Sequence, residues 1–294
     1  MTKETRVYKV KDGIEIHADL YLPDATRHPS VLIWIHGGAL VMGSRGYVPA
    51  NLLELCQATG SALASIDYRL APQAKLPAII EDLKDAVQWT RETFRPWKLV
   101  VAGESAGGYL AMMTGTFPAP RPDALVSYYG YGDVDGGWYT LPSDHYQRLF
   151  ATITKEEAVS GMGNRVVTGA ADGPAQQGRE RYYHYLRQKG LWTREVTGID
   201  PAAEPRALDP FCPVRNVDPD YPPILMVHGA NDKDVPFEKS SDMARELARN
   251  GVAHELLSVP GAGHGLEDGD PALVERVHAQ ALAFIRKHIA DPRH

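Results

Sequence analysis

Short apolar runs alternate with helical patterns along most of the chain, and this alternation limits the fold more than any other feature. The run Val31–Ile35 is continuously apolar, which is typical of a strand buried on both faces. Similar runs lie at 62–66, 99–102, 124–129, 224–228 and 253–259. Helical patterns lie between or after them at 51–59, 77–93, 106–115, 240–250 and 271–289. Strands that alternate with helices predict an open, mostly parallel sheet with helices on both faces.

The start of the chain has a different pattern. Arg6–Val10 and Gly13–Leu22 alternate polar with apolar residues, and the dipeptide Asp12-Gly13 between them favours a tight turn. We therefore expect an antiparallel pair of strands at one edge of the sheet. Together with the six apolar runs, this gives a sheet of about eight strands.

Residues 131–222 interrupt the alternation and contain little strand pattern. We predict that they form an inserted cap, here called the cap segment, while 1–130 and 223–294 form one core domain. Eleven of the 25 aromatic residues fall within 128–192, more than a surface loop needs. Two interpretations remain open. The rings form a small core within the segment, or they line a substrate pocket.

Composition excludes several classes of function. The chain has 31 Lys and Arg against 37 Asp and Glu, a net charge of −6, and no basic run, so a nucleic-acid surface is not expected. No stretch approaches the roughly 18 apolar residues of a membrane span, and the polar N-terminus does not resemble a signal peptide. We therefore predict a cytoplasmic protein. Cys56 and Cys212 allow one disulfide, but two buried free thiols are the expected state.

The strongest chemical signal is the motif Gly103-Glu-Ser-Ala-Gly107, which lies between a predicted strand and a predicted helix. A serine hydroxyl is a weak nucleophile unless it is exposed, oriented and paired with a base. A sharp strand-to-helix turn exposes Ser105 above the sheet, and residues two positions away must be small to allow that turn. The amides at the start of the following helix also point toward developing negative charge. We predict that Ser105 is a catalytic nucleophile.

The motif His36-Gly37-Gly38-Ala39 follows the strand Val31–Ile35. Consecutive glycines let a backbone loop approach a substrate closely with its amides pointing inward. With the amide of Ala106, those of Gly37 and Gly38 are the candidates for an oxyanion hole. We expect His36 to brace the loop rather than to act as a base.

Two loops near the end of the chain supply the remaining predicted catalytic groups. Asp232 and Asp234 follow one predicted strand, and His264 follows the next, so both loops lie at the carboxyl edge of the sheet. The order Ser, Asp, His is that of a hydrolase triad in which the histidine takes the serine proton and the acid orients the imidazole. Asp232 is the favoured acid, and Asp234 remains the alternative.

Taken together, these residues resemble the α/β-hydrolase superfamily over nearly the whole chain. Within it, the chain resembles the hormone-sensitive-lipase-like carboxylesterases. Four segments carry this closer resemblance: His36-Gly37-Gly38, Asp67-Tyr-Arg-Leu-Ala-Pro72, Leu76-Pro-Ala78 through Glu81-Asp82 to Trp89, and Gly103-Glu-Ser-Ala-Gly-Gly108. Two positions depart from that family's pattern, because Ala39 replaces a third glycine and Glu104 replaces the usual aspartate. The loop Asn231–Pro236 looks more like that of prolyl-oligopeptidase-type and dienelactone-type hydrolases.

The resemblance implies the α/β-hydrolase fold, with a mostly parallel eight-stranded sheet, helices on both faces and a helical cap inserted after the sixth strand. It implies hydrolysis of esters with short to medium acyl chains, without a cofactor or metal. Relatives of this kind often form homodimers. The residues that the resemblance assigns are Ser105, Asp232 and His264 as the triad, and Gly37, Gly38 and Ala106 as the oxyanion hole.

Other functions use the same residues. A lactonase, an arylformamidase or an aminopeptidase would perform the same acyl transfer with a different leaving group, although an aminopeptidase usually needs an acidic cluster that the cap segment lacks. The many tyrosines of the cap segment favour aromatic or polar esters over long alkyl chains. A non-catalytic binding protein is the alternative from a different class, but such relatives commonly lose a triad member.

Overall fold

A computed structural model describes residues 1–23, 30–170 and 173–290, so small parts of the predicted core and cap ranges (24–29, 171–172 and 291–294) lie outside the described residues. The described strands form one eight-stranded sheet in the order β1-β2-β4-β3-β5-β6-β7-β8. The first two strands are paired antiparallel, β2 is antiparallel to β4, and the remaining neighbours are parallel. The strands are β1 Thr2–Lys11, β2 Ile14–Leu22, β3 Val31–Ile35, β4 Ala62–Ile66, β5 Leu99–Glu104, β6 Ala124–Tyr128, β7 Ile224–Gly229 and β8 His254–Val259.

The antiparallel edge forms as the sequence predicts. Asp12 and Gly13 join β1 to β2, and both have positive φ angles of 52° and 76°. Two consecutive residues in this conformation form the turn whose twist matches that of a hairpin. The predicted mostly parallel sheet with an antiparallel edge is confirmed.

The parallel strands separate two hydrophobic layers. Along β3, Val31, Ile33 and Ile35 face one layer, while Leu32 and Trp34 face the other. Helices α2 and α3 pack in the first layer, and α1 and α10 pack in the second. The helices outside the cap segment are α1 Ala50–Thr59, α2 Leu76–Phe94, α3 Ala106–Thr114, α9 Glu238–Arg249 and α10 Pro271–Ile289.

One strand ends earlier than the sequence pattern suggests. The apolar run 124–129 predicts a strand through Tyr129, but β6 ends at Tyr128 because Tyr129 has a φ of 41°, which is incompatible with an extended strand. The turn at Tyr129 directs its ring toward His264, with 4.9 Å between the ring centroids. The end of β6 therefore belongs to the region around Ser105.

The cap segment contains five α-helices within its described residues, besides two short 3₁₀ helices at Asp209–Phe211 and Pro213–Arg215. The α-helices are α4 Gly137–Thr140, α5 Asp144–Leu149, α6 Lys155–Val159, α7 Gly173–Lys189 and α8 Trp192–Thr197. Its buried rings belong to the same hydrophobic cluster as one face of the sheet, so they do not form a separate core. A continuous stack runs from Trp138 through Tyr139 to Trp192, with centroid separations of 3.6 and 3.7 Å.

The cap segment is also hydrogen bonded to the core loops. The Arg179 guanidinium on α7 donates to the carbonyls of Val41 (2.6 Å) and Ala71 (2.9 Å). Trp192 Nε1 donates to the carbonyl of Ala39 at 3.0 Å. These contacts fasten the segment to the loops that follow β3 and β4.

A buried ion pair joins two of the motif segments that carry the family resemblance. Arg69 Nε and Nη2 donate to the two carboxylate oxygens of Asp82, each at 2.7 Å. Asp82 is fully buried, and Lys9 Nζ approaches it to 2.8 Å. A buried carboxylate requires such partners, since desolvation of an unpaired charge is very costly. The pair holds α2 against the loop after β4.

Two further expectations concern the state of the cysteines and the presence of a membrane-spanning helix. Cys56 and Cys212 are both buried, and neither forms a disulfide. Within residues 1–23, 30–170 and 173–290, no helix has the length and apolar character needed to cross a membrane.

Candidate active site

Ser105 lies in a sharp turn between β5 and α3. Its φ of 51° and ψ of −117° are outside the regions that L-residues normally occupy. The turn depends on close backbone approach at the neighbouring glycines. A Cβ atom at Gly107 would lie 2.0 Å from the Ile35 carbonyl oxygen, and one at Gly103 would lie 2.4 Å from the Gly107 carbonyl oxygen. The glycines of the motif are therefore required by packing around the strained serine.

Gly107→Ala is expected to destabilise the protein despite lying in a helix. Alanine in a helix is normally favoured over glycine by about 1 kcal/mol, but the Cβ at this position collides with rigid backbone, at a cost of about 3 kcal/mol or more. The expected net result is a lower midpoint of thermal unfolding. Gly46→Ala is the matched control, because its Cβ would meet only the Ser44 hydroxyl at 3.4 Å. A Gly107→Ala protein as stable as the control would contradict the packing argument.

The structure brings Ser105, His264 and Asp232 together in one hydrogen-bonded chain. Ser105 Oγ is 3.0 Å from His264 Nε2, and His264 Nδ1 is 2.7 Å from Asp232 Oδ2. Asp234, the alternative acid, reaches the opposite nitrogen, with Oδ2 3.8 Å from His264 Nε2. An acid that fixes the histidine tautomer must bind Nδ1. The geometry therefore favours Asp232 for that role.

Asp232 is held by its own loop and by a second histidine. Its Oδ1 accepts from the amides of Asp234 and Val235, both at 2.8 Å, and its Oδ2 is 3.2 Å from His228 Nε2. Burial alone would raise the pKa of Asp232, but the hydrogen bonds and charges of His228 and His264 outweigh burial and lower it. Asp232 therefore stays ionised throughout the neutral range.

His264 has the opposite balance. Burial alone would lower its pKa, but the hydrogen bond to Asp232 and the charges of Asp234, Asp232 and Glu104 outweigh burial and raise it. The imidazole is consequently a stronger base than an isolated histidine. Its neutral form, which is the one that can accept a proton from Ser105, is depleted as the pH falls through this raised pKa.

The glycine loop lies against the nucleophile. The Cβ position of Gly37 is 3.2 Å from Ser105 Cβ, and Gly38 adopts a φ of 102° that suits glycine. The Gly38 carbonyl accepts from the amides of Val41 and Met42, each at 2.9 Å, which closes the loop into a tight turn. Ala106 is the first residue of α3, where helix amides have no partner within the helix.

His36 is buried beneath this loop. Its Nδ1 donates to the Gly37 carbonyl at 2.7 Å, and its ring stacks on Tyr68 with 4.4 Å between centroids. Tyr68 Oη donates to the His36 carbonyl at 3.1 Å. Burial lowers the pKa of His36, so the ring is neutral and suits a bracing role.

Glu104 and Tyr129 form a pair that the sequence analysis did not identify. Tyr129 Oη donates to Glu104 Oε2 at 2.9 Å. Burial raises the pKa of Glu104, although the hydrogen bond from Tyr129 and the charge of His264 oppose the rise. The pair packs behind Ser105 and against the His264 ring. Its only sequence signal is the departure from aspartate at position 104.

His228 was also missed as a site residue. Its ring is fully buried, with Nε2 shared between Asp232 and the Val235 carbonyl (3.0 Å) and Nδ1 2.7 Å from Ser240 Oγ. The available signal was its position at the carboxyl end of β7, four residues before Asp232. In the part of the chain that the structure describes, no three His, Cys, Asp or Glu side chains are grouped as metal ligands.

Comparison with known proteins agrees with this fold. The model of the α/β hydrolase fold family matches residues 32–268. The chain is 30% identical to the esterase LipC of Mycobacterium tuberculosis, over 90% of this chain and 60% of that protein. It is 26% identical to the non-reducing polyketide synthase prhL of Penicillium brasilianum over 98% of this chain, but spans only 14% of that protein's length.

Among solved structures, an α/β hydrolase superfamily protein from Enterococcus faecalis superimposes with a TM-score of 0.77 at 22% identity, covering 97% of this chain and 99% of that one. The chain belongs to the α/β-hydrolase family. Within it, the predicted similarity to the hormone-sensitive-lipase-like carboxylesterases is confirmed.

Proposed function

We propose that the protein is a serine hydrolase that cleaves carboxylic esters of short to medium acyl chains, or esters with aromatic or polar groups. The observation that carries this proposal is the hydrogen-bonded chain from Ser105 through His264 to Asp232. Each hydrogen bond joins the atoms that nucleophilic acyl transfer requires. The family membership and the esterase among its relatives support the same conclusion.

In this mechanism, His264 Nε2 removes the proton of Ser105 as Oγ attacks the ester carbonyl carbon. The resulting imidazolium is stabilised by Asp232 and returns the proton to the alcohol leaving group. The C–O bond of the ester breaks and leaves an acyl group on Ser105. Water, deprotonated by His264, then attacks this acyl-enzyme and releases the carboxylic acid.

The amides of Gly37, Gly38 and Ala106 are the proposed donors to the oxyanion of the tetrahedral intermediate. Ala106 follows the nucleophile directly, and Gly37 lies beside Ser105, which supports this assignment. Preorganised donors at such a site often contribute about 10²- to 10³-fold in kcat each.

The cap segment is proposed to limit the size of the substrate. Helices α7 and α8 reach the acid loop and the glycine loop on either side of Ser105. Most of the aromatic rings are packed in the shared hydrophobic cluster, so only a part of this aromatic set is available to line a pocket. Lactonase, arylformamidase and aminopeptidase activity remain alternatives. The complete triad counts against a non-catalytic binding protein. Cytoplasmic location and a homodimer stay predictions.

A substrate panel with covalent labelling tests the proposal. We expect short nitrophenyl esters to be hydrolysed faster than lactones, N-formyl aromatic amides and aminoacyl amides. A fluorophosphonate probe should label Ser105, as identified by peptide mass spectrometry, and block turnover. Labelling without turnover of any ester would favour another acyl substrate. Activity that rises steadily beyond acyl chains of about eight carbons would contradict the preference for small or aromatic groups. Absence of both labelling and hydrolysis would refute the proposal.

A further inference from the structure

Asp234 is a second carboxylate beside the His264 ring. Its Oδ2 atom lies 3.8 Å from His264 Nε2, the same nitrogen that lies 3.0 Å from Ser105 Oγ. Asp232 binds the opposite side of the ring at Nδ1. The imidazole therefore has an acid near each nitrogen, and Asp234 shares its nitrogen with the nucleophile.

An acid at Nε2 is a competitor for the catalytic proton. This nitrogen must accept the proton of Ser105 and then pass it to the leaving group. Once His264 is protonated, its Nε2–H binds a carboxylate more strongly than a neutral oxygen, because charge-assisted hydrogen bonds are about twice as strong as neutral ones. If Asp234 moved closer, it would retain the proton and hold the ring away from Ser105.

The cap segment restrains Asp234 from the other side. Tyr183 Oη donates to Asp234 Oδ1 at 2.6 Å, and Arg187 Nη1 donates to the same oxygen. Arg187 Nη2 also donates to the Asp234 backbone carbonyl at 3.0 Å. Both side chains come from α7. Because they bind Oδ1 and the main chain, they fix the carboxylate where its Oδ2 lies 3.8 Å from His264 Nε2.

Arg187 is itself held in a fixed position. Its side chain is only 3% exposed, and its Nη1 donates to Tyr183 Oη at 2.7 Å. Its guanidinium carbon lies 4.9–5.7 Å from the centroids of four rings, those of Trp138, Tyr139, Tyr146 and Tyr183. Aromatic faces stabilise a desolvated cation, but a buried cation also needs an anion. The positions of Arg187 and Asp234 therefore depend on each other.

We propose that Arg187 and Tyr183 are positioning residues that prevent Asp234 from displacing Ser105 as the partner of His264 Nε2. This inference rests on the proposed function, since it assumes that His264 is the general base. On this inference, the triad is active only when α7 is packed in its observed position. When α7 is in place, Asp234 is held back. When the contact from α7 is lost, Asp234 captures the imidazolium.

The groups that face His264 fix the sign of the expected pH dependence. Removal of the Asp234 charge makes His264 a weaker base, so its neutral form persists to lower pH and the acidic limb of kcat/KM moves to lower pH. Removal of Arg187 has the opposite effect, because it leaves Asp234 uncompensated. The charged or titratable groups around the ring are Asp232, Asp234, Glu104 and Tyr129, with His228 and Arg187 acting through the two aspartates.

The experiment measures kcat/KM against pH for Arg187→Met, Asp234→Asn and the double variant with a short nitrophenyl ester. We expect Arg187→Met to lose on the order of 10- to 100-fold in kcat/KM, because the base is misplaced. The acidic limb of its kcat/KM profile should move to higher pH by about 1 unit, and that of Asp234→Asn should move to lower pH by about the same amount. The double variant should recover most of the loss.

A matched control breaks a similar ion pair far from the site. Arg121 donates to both carboxylate oxygens of Asp218 at 2.5 and 2.7 Å, where β6 and β7 begin, at the opposite end of the sheet from Ser105. Arg121→Met should leave the acidic limb in place. If the Arg187–Asp234 pair were only structural, the double variant would be no more active than Arg187→Met and the limbs would not move. That result would overturn the inference.

Two additions keep the test decisive. If Arg187→Met does not fold, Tyr183→Phe replaces it. Tyr183→Phe should move the acidic limb of kcat/KM to higher pH, and Asp234→Asn should move it to lower pH. If either limb stays in place, the inference is overturned. An NMR titration of the His264 imidazole in Ser105→Ala protein needs no activity, and adding Asp234→Asn should lower the pKa of His264. An inactive wild type refutes the proposed function. An active wild type whose His264 titration ignores Asp234→Asn refutes this inference alone.

Discussion

Ser105→Ala is expected to lower kcat for short nitrophenyl esters by a factor on the order of 10⁴ to 10⁶, while the protein remains folded. The variant removes the only atom that can form the acyl-enzyme, and His264 then has no hydroxyl to activate. The glycine loop and the amide of residue 106 stay in place, so a small residual rate over water should remain. The measurement is kcat and KM, with circular dichroism to confirm folding.

Folding should survive this substitution because the strain at position 105 belongs to the backbone. The turn is fixed by Gly103 and Gly107, and Ser105 contributes its amide to the Tyr128 carbonyl at 2.8 Å, a bond that alanine keeps. Ser160→Ala, an exposed serine of the cap segment, is the control and should retain activity. Full activity in Ser105→Ala would exclude the proposed nucleophile.

Asp232→Asn is expected to lower kcat by a factor on the order of 10⁴, the size of effect found when a triad aspartate becomes asparagine. Asparagine can still accept the two loop amides that bind Oδ1, but its neutral side chain cannot stabilise the imidazolium or fix the required tautomer. The loss should fall on kcat rather than KM, because Asp232 is buried and does not reach the substrate.

Comparison with the second acid makes this prediction specific. Asp234→Asn should cost far less than Asp232→Asn, because Asp234 does not contact His264 Nδ1. Asp218→Asn, at the opposite end of the sheet, is the control for loss of a carboxylate. If Asp234→Asn were the more damaging substitution, the two aspartates would have to exchange roles.

Much of the fold can be predicted from sequence because its central strands are buried on both faces. Burial on both faces forces continuous apolar runs such as Val31–Ile35, and the helices between them follow from the connections that parallel strands need. The end of β6 could not be predicted, since the positive φ of Tyr129 has no signal in an apolar run. The backbone there is set by packing around Ser105.

The cap segment was harder to predict for a related reason. Helix α7 buries residues at a helical spacing: Arg179, Tyr182, Tyr183, Leu186 and Arg187. Two members of this face are arginines, so hydropathy conceals the pattern. A side chain that is buried only because a carboxylate or carbonyl from another loop binds it is not recognisable from local sequence.

The residues of the candidate site also differ in how far the sequence predicts them. Ser105 and His264 were predictable because strained turns and glycine-rich loops leave local signatures. The sequence favoured Asp232 but left Asp234 open, since both follow the same strand two residues apart, and their distances to His264 add the argument that separates them. The support from His228, Glu104 and Arg187 depends on contacts across the fold, which spacing along one sequence does not reveal.

The attachment of the cap segment bears on how this scaffold can be altered. Arg179 donates to the carbonyls of Val41 and Ala71, and Trp192 donates to that of Ala39, so three anchors are backbone atoms of the core, while Arg179 Nη2 also donates to the Gln73 side chain at 2.9 Å. Backbone acceptors persist whatever side chains the core carries, and these three hydrogen bonds therefore depend on the shape of the loops rather than on their sequence. A foreign cap transplanted onto this core would have to bring its own arginine and tryptophan at these two positions. Otherwise the glycine loop of the recombined protein would lack the hydrogen bonds that the cap segment donates to it.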